Sequence, residues 1–305
     1  MMLNNLSLTP ESLYDFVEGQ LKEWSLAEKN YSALRDVKRK RISLGNYDTY
    51  VQFNPSRIVS TGAKVSDGKV AERPCFLCSV NRPPEQKKIE ILPGWELLVN
   101  PFPIFPIHFT IASSDHRPQD AVPFEIVSLA EKLEGMTVFF NGARAGASAP
   151  DHLHVQAVLT DELPLMKEAE RIHSSTNPGV YSSRQLDSDV PFLFFSGIVE
   201  QGKKGMATLL AGLKLGGLSQ NNSFDDSTKV NSFFWIDRHG LLRFVVIPRT
   251  AHRPSCYFAE DSSKLLVSPG CIDMAGVVIT PREEDYKKVE KTDILKVYSE
   301  VTEIK

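Results

Sequence analysis

The sequence predicts an α+β fold of antiparallel sheet and packed helices, arranged as two related halves. Three observations lead to this. Short apolar runs recur between turn signals, and residues 232–249 (SFFWIDRHGLLRFVVIPR) read as a hairpin turning at Asp237-Arg238-His239-Gly240. Helical segments lie among these runs without regular β-α-β alternation. Each half carries paired strands followed by a loop containing Gly, Ser and Pro. The 305 residues, 42% of them hydrophobic, suffice for one large domain or two medium halves.

Taken in order, Thr9-Pro10-Glu11 supplies an N-cap, a first helical residue and an acidic first turn. Leu13, Phe16, Val17, Leu21 and Trp24 follow at helical spacing, which predicts an amphipathic helix over 10–26. The basic run at 35–41 reads as a solvated helix end or loop. Short strands are expected within 43–60, and the polar stretch 61–73 reads as a loop or flap. Strands are predicted at 96–99, 107–112, 136–140 and 152–159, with a helix over 121–133. Residues 161–190 suggest helix, then loop. A helix is predicted at 203–213 and a polar break over 216–230. The stretch 265–289 reads as strand or turn followed by helix.

A formal net charge of −3 implies no broad basic field, so polymeric nucleic acid is not an expected partner. No apolar run approaches the roughly 18–20 residues of a membrane span, and MMLNNLSLTPESLYDF lacks the character of a secretory signal. Four cysteines do not make a disulfide scaffold, and a reducing cytoplasm is the expected location.

The chemistry gathers at 141–157. On a strand, alternate side chains share a face, so His152, His154 and Gln156 point one way while Leu153, Val155, Ala157 and Leu159 point the other. Immediately upstream lies NGARAGASAPD. Gly142 and Gly146 let backbone N–H groups approach oxygens closely, Ser148 offers a hydroxyl and Arg144 a planar fork. A phosphate held there sits beside His154. A neutral imidazole is a competent nucleophile near neutral pH. An amide at 156 donates to phosphoryl oxygens without titrating, and as a poor proton shuttle it suits transfer better than hydrolysis.

FFNGARAGASAPDHLHVQA (139–157) resembles the active-site segment of the transferase branch of the histidine-triad superfamily. That branch includes galactose-1-phosphate uridylyltransferases, diadenosine tetraphosphate phosphorylases and GDP-L-galactose phosphorylase. Residues 98–124, FVVIPRTAHRP and LLVSPGCIDMAGVVITPREEDY are similar to flanking and closing segments of the phosphorylases. The resemblance implies a histidine-triad-like antiparallel sheet. With the echo between halves, the chain is expected to divide into an N-terminal helix and strands packing on the core (1–70), which the resemblance does not place, a catalytic half (71–190) and a second half closing the site (191–305). The resemblance implies His154 as nucleophile, Gln156 as partner of the phosphate or covalent intermediate, and Asn141, Arg144, Gly146 and Ser148 as phosphate contacts. The implied activity is nucleotidyl transfer or phosphorolysis on a nucleotide sugar or dinucleoside polyphosphate, with phosphate or a sugar phosphate as acceptor. A hydrolase of the same fold and a nucleotide-binding protein without turnover are the alternatives.

Cys75-Phe-Leu-Cys78 has the spacing of a zinc knuckle. A redox reading needs a helix after the motif, and Asn81-Arg82-Pro83-Pro84 opposes one. Resemblance to the uridylyltransferases implies a structural zinc held by Cys75, Cys78, His116 and His152, with His108 a competing third ligand. Arg249 and His252 are candidates for reaching a substrate phosphate from the second half, beside the plain reading of a surface turn. Cys256 and Cys271 read as buried thiols, His173 and His239 as surface histidines. A homodimer is the default expectation for assembly.

Overall fold

The computed structural model describes residues 8–62, 73–173, 179–199, 209 and 227–304. Most of the predicted helix at 203–213, of the stretch 61–73 and of the break at 216–230 lies outside these residues. Thr9 caps α1 (Pro10–Glu23), its hydroxyl accepting from Ser12 N at 3.4 Å, and Leu13 and Val17 are buried beneath it. The helix stops short of residue 26 because Trp24 is extended, and α2 (Ser25–Ser32) follows directly.

The basic run is a correction. Lys38–Ser43 is a strand, β1, antiparallel to β2 (Asp48–Phe53). Its charges have partners: Lys38 with Glu283, Arg39 with Glu162, Arg41 with Asp48. The Arg39 guanidinium also lies over the Phe105 ring. Alternating partners on a sheet surface satisfy a charge run that composition alone assigns to solvent.

After the helical turn α3 (Ile58–Thr61) come β3 (Lys88–Leu92), β4 (Trp95–Val99), β5 (His108–Ser113), α4 (Ile126–Lys132), β6 (Met136–Asn141) and β7 (His154–Leu159). Then come α5 (Pro164–Ile172), β8 (Gly179–Ser182), β9 (Phe195–Ile198), β10 (Val230–Ile236) and β11 (Leu242–Pro248). The chain ends with α6 (Ser255–Phe258), α7 (Cys271–Met274), β12 (Val277–Thr280), α8 (Glu283–Lys288) and α9 (Lys291–Val301). Among the described residues the sheets are β1-β2-β12 and a nine-stranded sheet ordered β3-β4-β5-β7-β6-β10-β11-β9-β8. The fold is α+β, as the sequence predicts. The stretch 265–289 is more broken than expected, because Gly276 (φ +98°) turns the chain between α7 and β12.

In the large sheet, β3 to β7 come from one stretch of sequence and β8 to β11 from the next. They join where β6 pairs antiparallel with β10, Phe139 opposite Phe233. Alternation sorts side chains between two cores. Val138, Phe140, Val155, Ala157 and Phe234 pack with α1 and α4 on one face. Phe139, Val158, Phe233, Trp235 and Val245 pack with α5 and α9 on the other. His154 and Gln156 alternate with Val155 and Ala157, so they open on the second face. His173 is no surface residue: only 4% exposed, it sits against the Tyr181 ring at 4.9 Å between centroids. No helix among the described residues is long and apolar enough to cross a membrane.

Candidate active site

His154 begins β7, and the ladder to β6 stops two pairs short of it, at Phe139 opposite Gln156. In that register Phe140 and Val155 would come next, and then Asn141 and His154. The Gln119 side chain is inserted between them. Its Oε1 accepts from His154 N at 2.8 Å, and its Nε2 donates to His154 O (2.8 Å) and Asn141 O (2.9 Å). The two strands therefore part at the site without leaving these buried backbone groups unpaired.

His154 is 3% exposed. Its Nδ1 lies 2.8 Å from the His152 carbonyl oxygen, so Nδ1 carries the proton and donates, and Nε2 holds the free lone pair. Burial pushes its pKa down to about 4, against the opposing pull of the His152 carbonyl. The imidazole is neutral at physiological pH.

Gln156 follows on the same face, about 7 Å along the strand. His108 fixes its orientation. His108 Nδ1 accepts from Ile104 N at 3.1 Å, which leaves the proton on Nε2, and Nε2 meets Gln156 Oε1 at 2.8 Å. The amide oxygen is held, so the NH2 is directed away from His108. Burial, with Arg57 nearby, lowers the His108 pKa to about 3, so it stays neutral in this role.

Asn141, Gly146, Ser148 and Gln156 line a cavity of about 70 Å³. His154 stands next to this wall, one alternate position before Gln156, and is not itself part of the lining. The other polar walls are Arg57, His252, Arg253, Ser268 and Asp273. Arg253 Nε donates to Ser268 Oγ at 2.8 Å. Burial lowers the Arg57 pKa to about 10, which still leaves a cation. His252 is held near a pKa of about 4 by burial and by Arg253 and Arg249. The Asp273 carboxylate accepts from Gly270 N (3.0 Å) and Ile279 N (2.9 Å), tying α7 to β12. Gly146 has φ +97°, and a Cβ there would lie 2.5 Å from Gly270 Cα. The glycine loop thus packs backbone against backbone on the 269–271 turn.

The other expected contacts divide. His252 lines the cavity. Gly142 is buried, its N–H donating to Val230 O at 2.9 Å, and it does not line the cavity. Arg144 is exposed and outside the lining, its backbone N–H bonded to Thr228 O. Arg249 is 2% exposed and bonded throughout to protein oxygens.

His152 does not share the strand with His154. It precedes β7 in a turn closed by its N–H on Ala149 O (3.2 Å), which swings its ring out of register. Its Nε2 meets Ser113 O at 2.8 Å, leaving Nδ1 as the lone-pair atom. That Nδ1 lies 3.3 Å from Cys75 Sγ and 3.5 Å from Cys78 Sγ, and His116 Nδ1 is 3.2 Å from Cys78 Sγ. The four ligand atoms lie within 4.8 Å of one another, a group able to hold a metal ion. Two sulfurs and two imidazole nitrogens match the donor set that structural zinc takes, and the Ser113 carbonyl behind His152 is the usual orienting partner. His108, the rival third ligand, is engaged with Gln156 instead.

Sequence reasoning missed Gln119, Arg57, Thr61, Arg253, Ser268 and Asp273, and weighed His108 only as a rival metal ligand. Arg253 lies within IPRTAHRP, already singled out at its neighbours. Gln119 lies within the 98–124 segment, and Ser268 and Asp273 within LLVSPGCIDMAGVVITPREEDY, none singled out there; Arg57 belongs to no motif, and only the folded chain brings it to the site.

A family profile described as a domain of unknown function, DUF4922, matches residues 16–159. No curated protein sequence matches the chain. Solved structures do. Yeast Ap4A phosphorylase Apa2 in complex with Ap4A superposes with a TM-score of 0.62 at 15% identity, covering 95% of this chain and 97% of that one. The same enzyme in complex with AMP gives 0.60 at 16% identity, over 93% and 96% of the two chains. Likeness at this identity speaks for the fold, and it spans both groups of strands. The chain therefore has the histidine-triad-like fold.

Proposed function

We propose that the protein is a nucleotidyltransferase that works through a covalent nucleotidyl-His154. The observation that carries this reading is the His154 imidazole, held neutral with Nδ1–H on the His152 carbonyl, beside a cavity walled by two arginines and two amides. In the first step the Nε2 lone pair attacks the α-phosphorus of a nucleotide-containing donor. An N–P bond forms, and the P–O bond to the leaving phosphate breaks with its electron pair. The imidazole becomes cationic, and the His152 carbonyl accepts its Nδ1–H. Gln156 and Asn141 donate to the phosphoryl oxygens, and Arg57 and Arg253 offset the phosphate charge. In the second step an acceptor oxygen attacks phosphorus and the electron pair returns to Nε2.

The donor class is a dinucleoside polyphosphate or a nucleotide sugar, the acceptor inorganic phosphate or a sugar phosphate. The fold match to an Ap4A phosphorylase favours the first of each. Cys75, Cys78, His116 and His152 hold a structural zinc in this reading; when bound, the metal fixes the turn before β7.

The test is intact mass at neutral to alkaline pH, because phosphoramidates are acid-labile. The protein is incubated with Ap4A and with nucleotide sugars, without acceptor, beside His154→Ala. A nucleotidyl-sized increment in wild type, absent from the variant and discharged by inorganic phosphate, is the expected result. No increment with any donor overturns the covalent reading.

A further inference from the structure

Arg249 follows β11 directly, and all five of its N–H donors meet oxygens. Nε donates to Val301 O at 3.0 Å. Nη1 donates to Asn231 Oδ1 (2.6 Å) and Pro269 O (3.0 Å). Nη2 donates to Ala251 O (3.1 Å) and His252 O (3.2 Å). A planar, five-donor fork is the one side chain able to make this set. It joins the loop bearing His252 and Arg253, the 269–271 turn and Asn231.

Asn231 transmits this order inward. Its oxygen is committed to Arg249, so its Nδ2 points the other way, donating to Asn141 Oδ1 at 3.1 Å and Ala145 O at 2.7 Å. Cys271 N donates to the same Asn141 Oδ1 at 2.7 Å. Two donors converge on the Asn141 oxygen. Its Nδ2 makes no hydrogen bond among the described residues, and Asn141 lines the cavity. The amide therefore presents N–H donors where a phosphate oxygen would sit. The reverse orientation would present an oxygen and repel the anion.

We propose that Arg249 and Asn231 are positioning residues that fix the Asn141 amide with its donors toward the cavity. Arg249 thus acts on the site without touching the substrate. The functional consequence rests on the nucleotidyl-transfer reading; the orientation itself does not. It is the second amide at the cavity held by its oxygen, after Gln156 on His108, and the two hold-points come from different halves of the chain.

The test uses Asn231→Asp in the full chain. A carboxylate keeps the partner of Arg249 but faces the Asn141 oxygen with another acceptor. The Asn141 amide is then expected to turn its Nδ2 toward that carboxylate, away from the cavity. The Asn141 side-chain amide signal is assigned in 15N spectra by its loss in Asn141→Asp, and its exchange with water is measured. The expected result is exchange slowed at least tenfold in Asn231→Asp; unchanged exchange overturns the proposal. Should that variant fail to fold, Asn231→Ser, Asn141→Ala and their double are compared by titration with inorganic phosphate. Each single change is expected to weaken binding by roughly fivefold to tenfold, with no further loss in the double. Additive losses overturn the proposal. A wild type that binds no phosphate and forms no nucleotidyl adduct removes the proposed function, while the exchange comparison still decides the orientation.

Discussion

His154 Nδ1 stands 2.8 Å from the carbonyl oxygen of His152, and the His152 ring turns its own Nδ1 to within 3.3 Å of the Cys75 sulfur. One residue thus sets the tautomer of the candidate nucleophile with its backbone and belongs to the cysteine–histidine cluster with its side chain. Anything that displaces the cluster displaces the carbonyl on which His154 depends.

Loss of a cluster ligand is expected to act at both places. Cys78→Ser should lose zinc in metal analysis of the purified protein, with affinity reduced by more than the ~10–100-fold that loss of an outer hydrogen bond costs. It should also lower the thermal midpoint and slow formation of the His154 adduct. Wild-type protein that carries no zinc and gains no thermal stability from it would sink the metal assignment and leave the His154 chemistry standing.

Gln119 holds the parted ends of β6 and β7. Gln119→Leu keeps roughly the volume and removes three hydrogen bonds, stranding His154 N–H and two buried carbonyls. Each orphaned group costs about 1–3 kcal/mol, so a loss of about 3 kcal/mol or more in chemical denaturation is expected. A change under about 0.5 kcal/mol, the size of an ordinary surface substitution, would show that water replaces the amide without cost.

Gly146→Ala tests the contact between the glycine loop and the 269–271 turn. The residue has φ +97°, and the new Cβ would meet Gly270 Cα at 2.5 Å and Pro269 O at 2.9 Å, both backbone. Neither can rotate away. The expected cost is about 2 kcal/mol or more from strain and overpacking together. Phosphate binding should fall with it, because Gly270 and Cys271 wall the cavity.

What was legible in the sequence follows period and local chemistry. Leu153, Val155 and Ala157 alternate with His154 and Gln156; the structure packs the first three in a core and lines the cavity with Gln156. The hairpin at 232–249 was readable because Asp237 to Gly240 supply their own turn, Asp237 Oδ1 accepting from His239 N and Leu241 N. Three failures share a cause. The strand Lys38–Ser43 pairs with β2, and the charges Lys38 and Arg39 meet Glu283 and Glu162, far along the chain. His152 leaves the strand because a turn and the cluster claim it. Arg249 is turned inward by Asn231, Pro269 and Val301. In each case partners distant in sequence take part, and periodicity carries no information about them.

Acid should reveal the buried histidines. Burial holds His154 near a pKa of about 4 and His108 near about 3, both below the ordinary value of about 6.5. In the unfolded chain both take up a proton as pH falls through about 6.5, while the folded protein does not until about 4 and about 3. The unfolded state therefore binds more protons in this window. Stability is fully present above about 6.5 and is lost as pH falls, by up to about 1.4 kcal/mol per pH unit for each histidine. Unfolding free energies measured from about pH 7 to about pH 4.5 should show this slope, and His108→Gln should reduce it by about one proton, whatever its effect on stability at neutral pH. An unchanged slope would mean that His108 is not held neutral in the fold, and with it would go the Nδ1 lone pair that accepts from Ile104 N.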